Sequence, residues 1–100
     1  MIDVPAKHLE TIRRILAEYV GDCEVRAFGS RVCQTAKEHS DLDVAVVAAE
    51  KMKRRTKMRL REAFEESDLP FRVDVIEYNA VSDEFRAIID AKYEILQKKP

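Results

Sequence analysis

The fold is decided by one stretch of the chain, Gly29-Ser30-Arg31-Val32-Cys33-Gln34-Thr35-Ala36-Lys37-Glu38-His39-Ser40-Asp41-Leu42-Asp43-Val44-Ala45-Val46-Val47. Its second half, residues 41–47, reads as a strand whose near-continuous apolar end is covered on both faces. Two carboxylates open that strand. Strand side chains alternate faces with a period of two, so Asp41 and Asp43 project to the same side. The first half begins with Gly29-Ser30, which breaks an alternating stretch at 23–28 with Cys23, Val25 and Ala27 on one side. Residues 31–36 suit a short helix. A glycine lets the backbone approach an anion closely, and free N–H groups at a helix start attract one. Ser30 adds a hydroxyl donor, and Arg31 offers a cationic clamp.

A third carboxylate stands in a second apolar strand, Phe71-Arg72-Val73-Asp74-Val75-Ile76. Asp is depleted in strands, and a carboxylate withdrawn from water without a partner is costly. Neighbouring strands would gather Asp41, Asp43 and Asp74 into one patch of mutually repelling charge. Divalent cations relieve that repulsion, and oxygen-only ligands favour magnesium or manganese. An anion cradle beside such a platform suits phosphoryl transfer. Two ions about 3.5–4 Å apart need two bridging carboxylates, for which Asp41 and Asp43 are placed. Asp74 would then serve one ion and take the acceptor's proton. Each feature alone is ordinary: Gly-Ser is a common turn, the Asp pair a solvated strand start, the lone Asp an edge residue. Their spacing makes them one signal.

Outward from this stretch, Leu9, Ile12, Ile15, Leu16 and Tyr19 recur at helical spacing after Pro5, giving a helix over 5–19 that ends near Gly21. Residues 50–66 read as a charged helix with Met52, Leu60, Ala63 and Phe64 turned inward. Residues 81–97 read as a last helix carrying Phe85, Ile88, Ile89, Tyr93 and Leu96, with Ser82-Asp83-Glu84 suited to its start. The order is α-β-(α)-β-α-β-α, an α/β (α+β) arrangement of one small sheet flanked by helices, in a single domain over 1–100.

The totals fit a globular chain. It has 100 residues, 46% hydrophobic and 37% charged, with a net charge of −1, so it is not a general polycation for nucleic acid. Cys23 and Cys33 are read as free thiols of a reducing compartment. No basic segment leads into an apolar run at residues 1–5, and the longest apolar run, 44–49, is too short for a membrane. The expected location is the cytoplasm. Residues 51–61 carry seven basic residues and no acid. That is either a docking face for nucleic acid or an acidic partner, or a solvated helix face. No aromatic residues interleave with the charges, which weakens single-strand binding. His39, just before the aspartates, either touches a phosphate or the acceptor or is a plain loop histidine, and Cys33 lies in the loop with no base to make it a nucleophile.

Gly29-Ser30, the ten residues to Ser40, then Asp41-Leu42-Asp43 resembles the signature of the DNA polymerase beta-type nucleotidyltransferase superfamily. Arg31 after Gly-Ser and Ser40 before the first Asp are similar to its minimal nucleotidyltransferase (MNT) branch. Asp74 resembles that family's third carboxylate, and the likeness spans nearly the whole chain. The resemblance implies a mixed sheet of three or more strands. It implies two magnesium ions (manganese as the alternative) at Asp41, Asp43 and Asp74, with ATP held through Gly29, Ser30 and Arg31. It further implies an antitoxin of a type VII-like toxin–antitoxin pair, moving AMP from ATP onto a HEPN-domain toxin with which it assembles. The loop departs from many relatives in having Cys33-Gln34-Thr35-Ala36 where a second glycine often stands. Two alternatives remain open at this stage: a non-catalytic antitoxin that works by occlusion, and a transferase acting on RNA or a small molecule.

Overall fold

A computed structural model describes residues 2–100; Met1, at the head of the N-terminal segment read above, lies outside them. The first helix, α1 (Ala6–Val20), follows Pro5 and buries Ile12, Ile15, Leu16 and Val20. Strand β1 (Glu24–Phe28) comes next, then the single turn α2 (Ser30–Cys33), then β2 (Leu42–Val47). Helix α3 (Arg54–Glu65) leads to β3 (Val73–Glu77) and a 3-10 turn at Tyr78–Ala80. The chain closes with α4 (Asp83–Ala91) and β4 (Glu94–Gln97).

The four strands form one sheet in the order β3-β2-β1-β4. β1 runs antiparallel to both β2 and β4, whereas β2 and β3 are parallel. Parallel neighbours need a crossover, and α3 supplies it. Strand alternation divides the sheet into two unlike faces. Val25, Ala27, Leu42, Val44, Val46, Val73 and Val75 pack with α1 and α3 in the main core. The opposite face holds a smaller cluster of Phe28, Ala45 and Ile89, joined by Ile76, Tyr78, Val81 and Phe85. Both sides of β2 are therefore covered along Val44, Ala45 and Val46, as its apolar run indicated.

The expected helix over 81–97 is corrected. α4 starts at Asp83, capped by Ser82, whose Oγ accepts from the Phe85 backbone N–H at 3.1 Å. It stops at Ala91, and Lys92 is extended. Leu96 then turns into the core as part of β4, not as a further helical turn. The reason is tertiary. Without β4, the outer edge of β1 would lack a partner, and Tyr93, Ile95 and Leu96 suit a strand as well as a helix. Arg13 Nε donates to the Leu96 carbonyl (3.2 Å), and Gln97 Nε2 donates to the carbonyls of Val20 and Cys23 (2.8 Å each), tying the strand to α1. The start of the charged helix also moves, from 50 to Arg54; Lys53 before it is extended and provides no side-chain cap.

Leu96→Ala should cost about 2–4 kcal/mol in chemical denaturation, the loss for a buried leucine. A solvent-facing residue in a fraying terminal helix would lose well under 1 kcal/mol, and that result would contradict the strand.

Candidate active site

The parallel register sets the site. Asp43 in β2 is the direct partner of Asp74 in β3, one strand spacing of about 4.8 Å apart. Residues with opposite pleat, Val44 and Val75, point into the main core, so both carboxylates face the other side. Asp41 precedes them by two positions and shares that side. Position 74 therefore falls directly beside 43, and both Asp74 and Asp41 act on the Asp43 carboxyl.

The electrostatics report the crowding. The Asp43 carboxyl is pushed up to about 6, first by burial, then by Asp74 and Asp41; Arg72 pulls it partly back. Arg72 was missed in the sequence. It lies two before Asp74, so it shares the carboxylate face, and its Nη2 pairs with Asp41 Oδ2 at 2.9 Å. Among the described residues, no group of three carboxylate, imidazole or thiol ligands forms a ready coordination shell. What the three aspartates provide is an all-oxygen donor set whose like charge Arg72 relieves only in part. Those features fit hard divalent cations.

Gly29 borders this patch. Its φ is +83°, and a Cβ built there would overlap Asp43 Oδ2. Phe28 is the β1 partner of Asp43, which brings the bend directly beneath the carboxylate. Only glycine supplies both the positive φ and the missing atom. Ser30 begins α2, whose first N–H groups have no partner within the helix.

Arg31 has a different task from the one expected. It is only 5% exposed. Its guanidinium donates to the carbonyls of Ser40 (2.9 Å), Asp3 (2.8 Å) and Glu38 (3.1 Å), and it stacks 4.2 Å from the Phe71 ring centroid. A cation spent on three carbonyls and an aromatic face is a loop staple, not a phosphate clamp. The loop it fastens, 38–40, leads directly into Asp41. Gln34, at φ 62°, ends α2 in the left-handed region where a glycine would otherwise sit easily.

An open cleft of about 430 Å³ lies over the patch, lined by Gly29, Cys33, Asp43 and Asp74 and by the apolar side chains of Phe28, Ile76, Phe85 and Ile88. His39 is exposed and lines neither this cleft nor the one beside Arg72. The basic run forms the exposed start of α3. Lys51, Lys53, Arg54, Arg55, Lys57 and Arg59 have no ion pair among the described residues, while Arg61 Nη2 donates to the Val75 carbonyl at 3.0 Å.

A carboxylate patch beside a glycine bend on a mixed sheet defines a class, and sequence comparison agrees. The chain belongs to the polymerase beta nucleotidyltransferase family, whose pattern matches residues 10–100. More specifically, it is 43% identical over 98 residues to a Haemophilus influenzae protein described as probable protein adenylyltransferase MntA, covering 98% of this chain and 86% of that one. A toxin–antitoxin crystal structure with AMP-PNP shares the fold, with a TM-score of 0.74 at 22% identity over 88% of this chain and 71% of that one. A tri-AMPylated Shewanella oneidensis HEPN toxin in complex with its MNT antitoxin also matches, with a TM-score of 0.66 at 17% identity over 90% and 69% of the two chains. No helix among the described residues is long and apolar enough to cross a membrane.

Two outcomes test this geometry. Gly29→Ala should lower stability by about 1–3 kcal/mol through backbone strain and the clash with Asp43, read by thermal melting; an unchanged Tm would refute the close packing. Asp43→Asn concerns charge. A raised carboxyl means the folded state holds the proton more tightly than the unfolded chain, so stability falls as pH rises through about 4 to 6. At pH 7 without metal, Asp43→Asn should therefore gain about 1 kcal/mol after allowance for solvent screening. The gain should shrink toward pH 4.5. A constant difference across that range would sink the assignment.

Proposed function

We propose that this chain transfers AMP from ATP to a hydroxyl group on a HEPN-domain toxin, acting as the antitoxin of the pair. The observation that carries the reading is the pairing of Asp43 with Asp74 beside Gly29, in a chain 43% identical to a probable protein adenylyltransferase. The MNT–HEPN complex, in which the toxin carries AMP, supports the choice of acceptor. The AMP-PNP complex supports ATP as donor.

In this reading Asp41, Asp43 and Asp74 hold two magnesium ions. Bound magnesium would neutralise phosphate charge and lower the pKa of the attacking hydroxyl. Gly29 and Ser30 receive the triphosphate tail through backbone N–H groups and the Ser30 hydroxyl. The acceptor oxygen attacks the α-phosphorus, the bond from that phosphorus to the bridging oxygen breaks, and pyrophosphate leaves. Asp74, the most exposed of the three strand carboxylates, takes the acceptor's proton. Arg72 engages only Oδ2 of Asp41, which leaves Oδ1 of that carboxylate available to metal and keeps a guanidinium at the rim. Arg31 acts upstream of all this by fixing the loop that delivers Asp41.

The unpaired cations of α3 favour a second reading, in which the acceptor is RNA held by its phosphates. Label transfer separates the two. The chain, α-labelled ATP, magnesium and its HEPN partner should yield labelled protein, and EDTA should abolish the signal. Asp41→Asn with Asp43→Asn should reduce labelling by about 10³-fold or more. Label found on RNA and not on the partner would favour the second reading. Undiminished labelling by the double variant would end both.

A further inference from the structure

Asp74 is the wall between two clefts of different character. One is the apolar cleft already described, which also contains Gly29. The other, about 400 Å³, runs along β3 past Arg61, Glu65, Phe71 and Arg72 and contains no residue of the glycine bend. In-line phosphoryl transfer puts the leaving group and the attacking oxygen on opposite sides of the phosphorus. If pyrophosphate departs toward Gly29 and Ser30, the acceptor arrives from the far side of Asp74, through the cleft bordered by Arg72. The nucleoside projects sideways from the α-phosphorus and is left with the apolar cleft.

That cleft offers mostly apolar surface, with Lys92 also in its lining. Phe85 of α4 meets Phe28 of β1 edge to face, with ring centroids 5.8 Å apart. Ile76 also lines the cleft. Ile88 is 63% exposed while its neighbour Ile89 is fully buried, so α4 uses Ile89 for the core and leaves Ile88 over the cleft. Of the large hydrophobic side chains exposed among the described residues, Met58, Ile88 and Tyr93, only Ile88 borders the carboxylates. A volume near 430 Å³ lies within the roughly 300–1,000 Å³ typical of small-molecule sites.

We infer that Phe85 and Ile88 form the platform on which the base of the nucleoside triphosphate rests, with the acceptor entering on the Arg72 side of Asp74. This rests on the transferase reading given above and names the part of the site that recognises the donor. Phe85 and Ile88 are binding residues for the base, and neither takes part in proton transfer.

The test compares two magnesium-loaded ligands, AMP-PNP and inorganic tripolyphosphate, on the full chain by calorimetry. Tripolyphosphate has the phosphates but no base. Ile88→Ser is at the surface and leaves the core intact. It should weaken AMP-PNP at least tenfold, the usual effect of losing an apolar contact in a binding pocket, and change tripolyphosphate by less than twofold. Ile88→Phe should keep or improve AMP-PNP binding. An unchanged AMP-PNP affinity in Ile88→Ser, with or without a weaker acceptor KM, overturns the platform. So does an equal loss for both ligands. If the unsubstituted chain binds neither ligand, the transferase reading itself falls and the platform with it; if it binds both and only the Ile88→Ser result fails, the platform alone is wrong.

Discussion

The site depends on one pairing, the parallel register that sets Asp43 of β2 opposite Asp74 of β3. In water two carboxylates at that spacing separate freely. Here the strand hydrogen bonds forbid it, and burial makes the repulsion count. The chain tolerates the cost because the strands are anchored elsewhere. Leu42, Val44, Val46, Val73 and Val75 pack into the main core on the reverse of the same strands. Alternation thus lets one strand pair carry the hydrophobic stability on one face and a concentrated charge on the other. In the proposed reading, that charge is what would draw cations to the patch.

Much of this was legible because it obeys short periodicities. The period of two put Asp41 and Asp43 on one face and flagged Asp74 as an intruder among valines. The helical spacing of Ile12, Ile15 and Leu16 located α1, and Ser82-Asp83-Glu84 located the start of α4. What could not be read was decided by distant partners. Residues 94–97 carry a pattern compatible with helix or strand, and the empty outer edge of β1 settles the matter. Arg31 illustrates the same limit. Its place after Gly-Ser suggested an anion, but its carbonyl partners come from residues 3, 38 and 40 and its aromatic partner from residue 71, a convergence that only folding reveals. Arg72 could have been anticipated from its spacing to Asp74 had the exposed face of that strand been considered as a whole.

The site is also asymmetric in a useful way. Asp74 separates an apolar cleft, continuous with Gly29, from a charged one flanked by Arg61 and Arg72. Donor and acceptor need different surroundings, one accommodating a planar base and the other a protein hydroxyl that must lose a proton. Under the proposed reading, the two sides of this single edge strand would serve them.

Arg31 and the aspartates divide architecture from the reactivity proposed for the site. The staple around residues 38–40 works through backbone carbonyls, so it survives whatever side chains stand at 41 and 43. The like charge of the carboxylates, felt at the half-buried Asp43, opposes compaction. Random drift that neutralises them would leave the scaffold intact and slightly sturdier. Pseudoenzymes are therefore an accessible evolutionary fate for this architecture: lineages in which turnover is gone, yet the shape that meets a partner persists under selection.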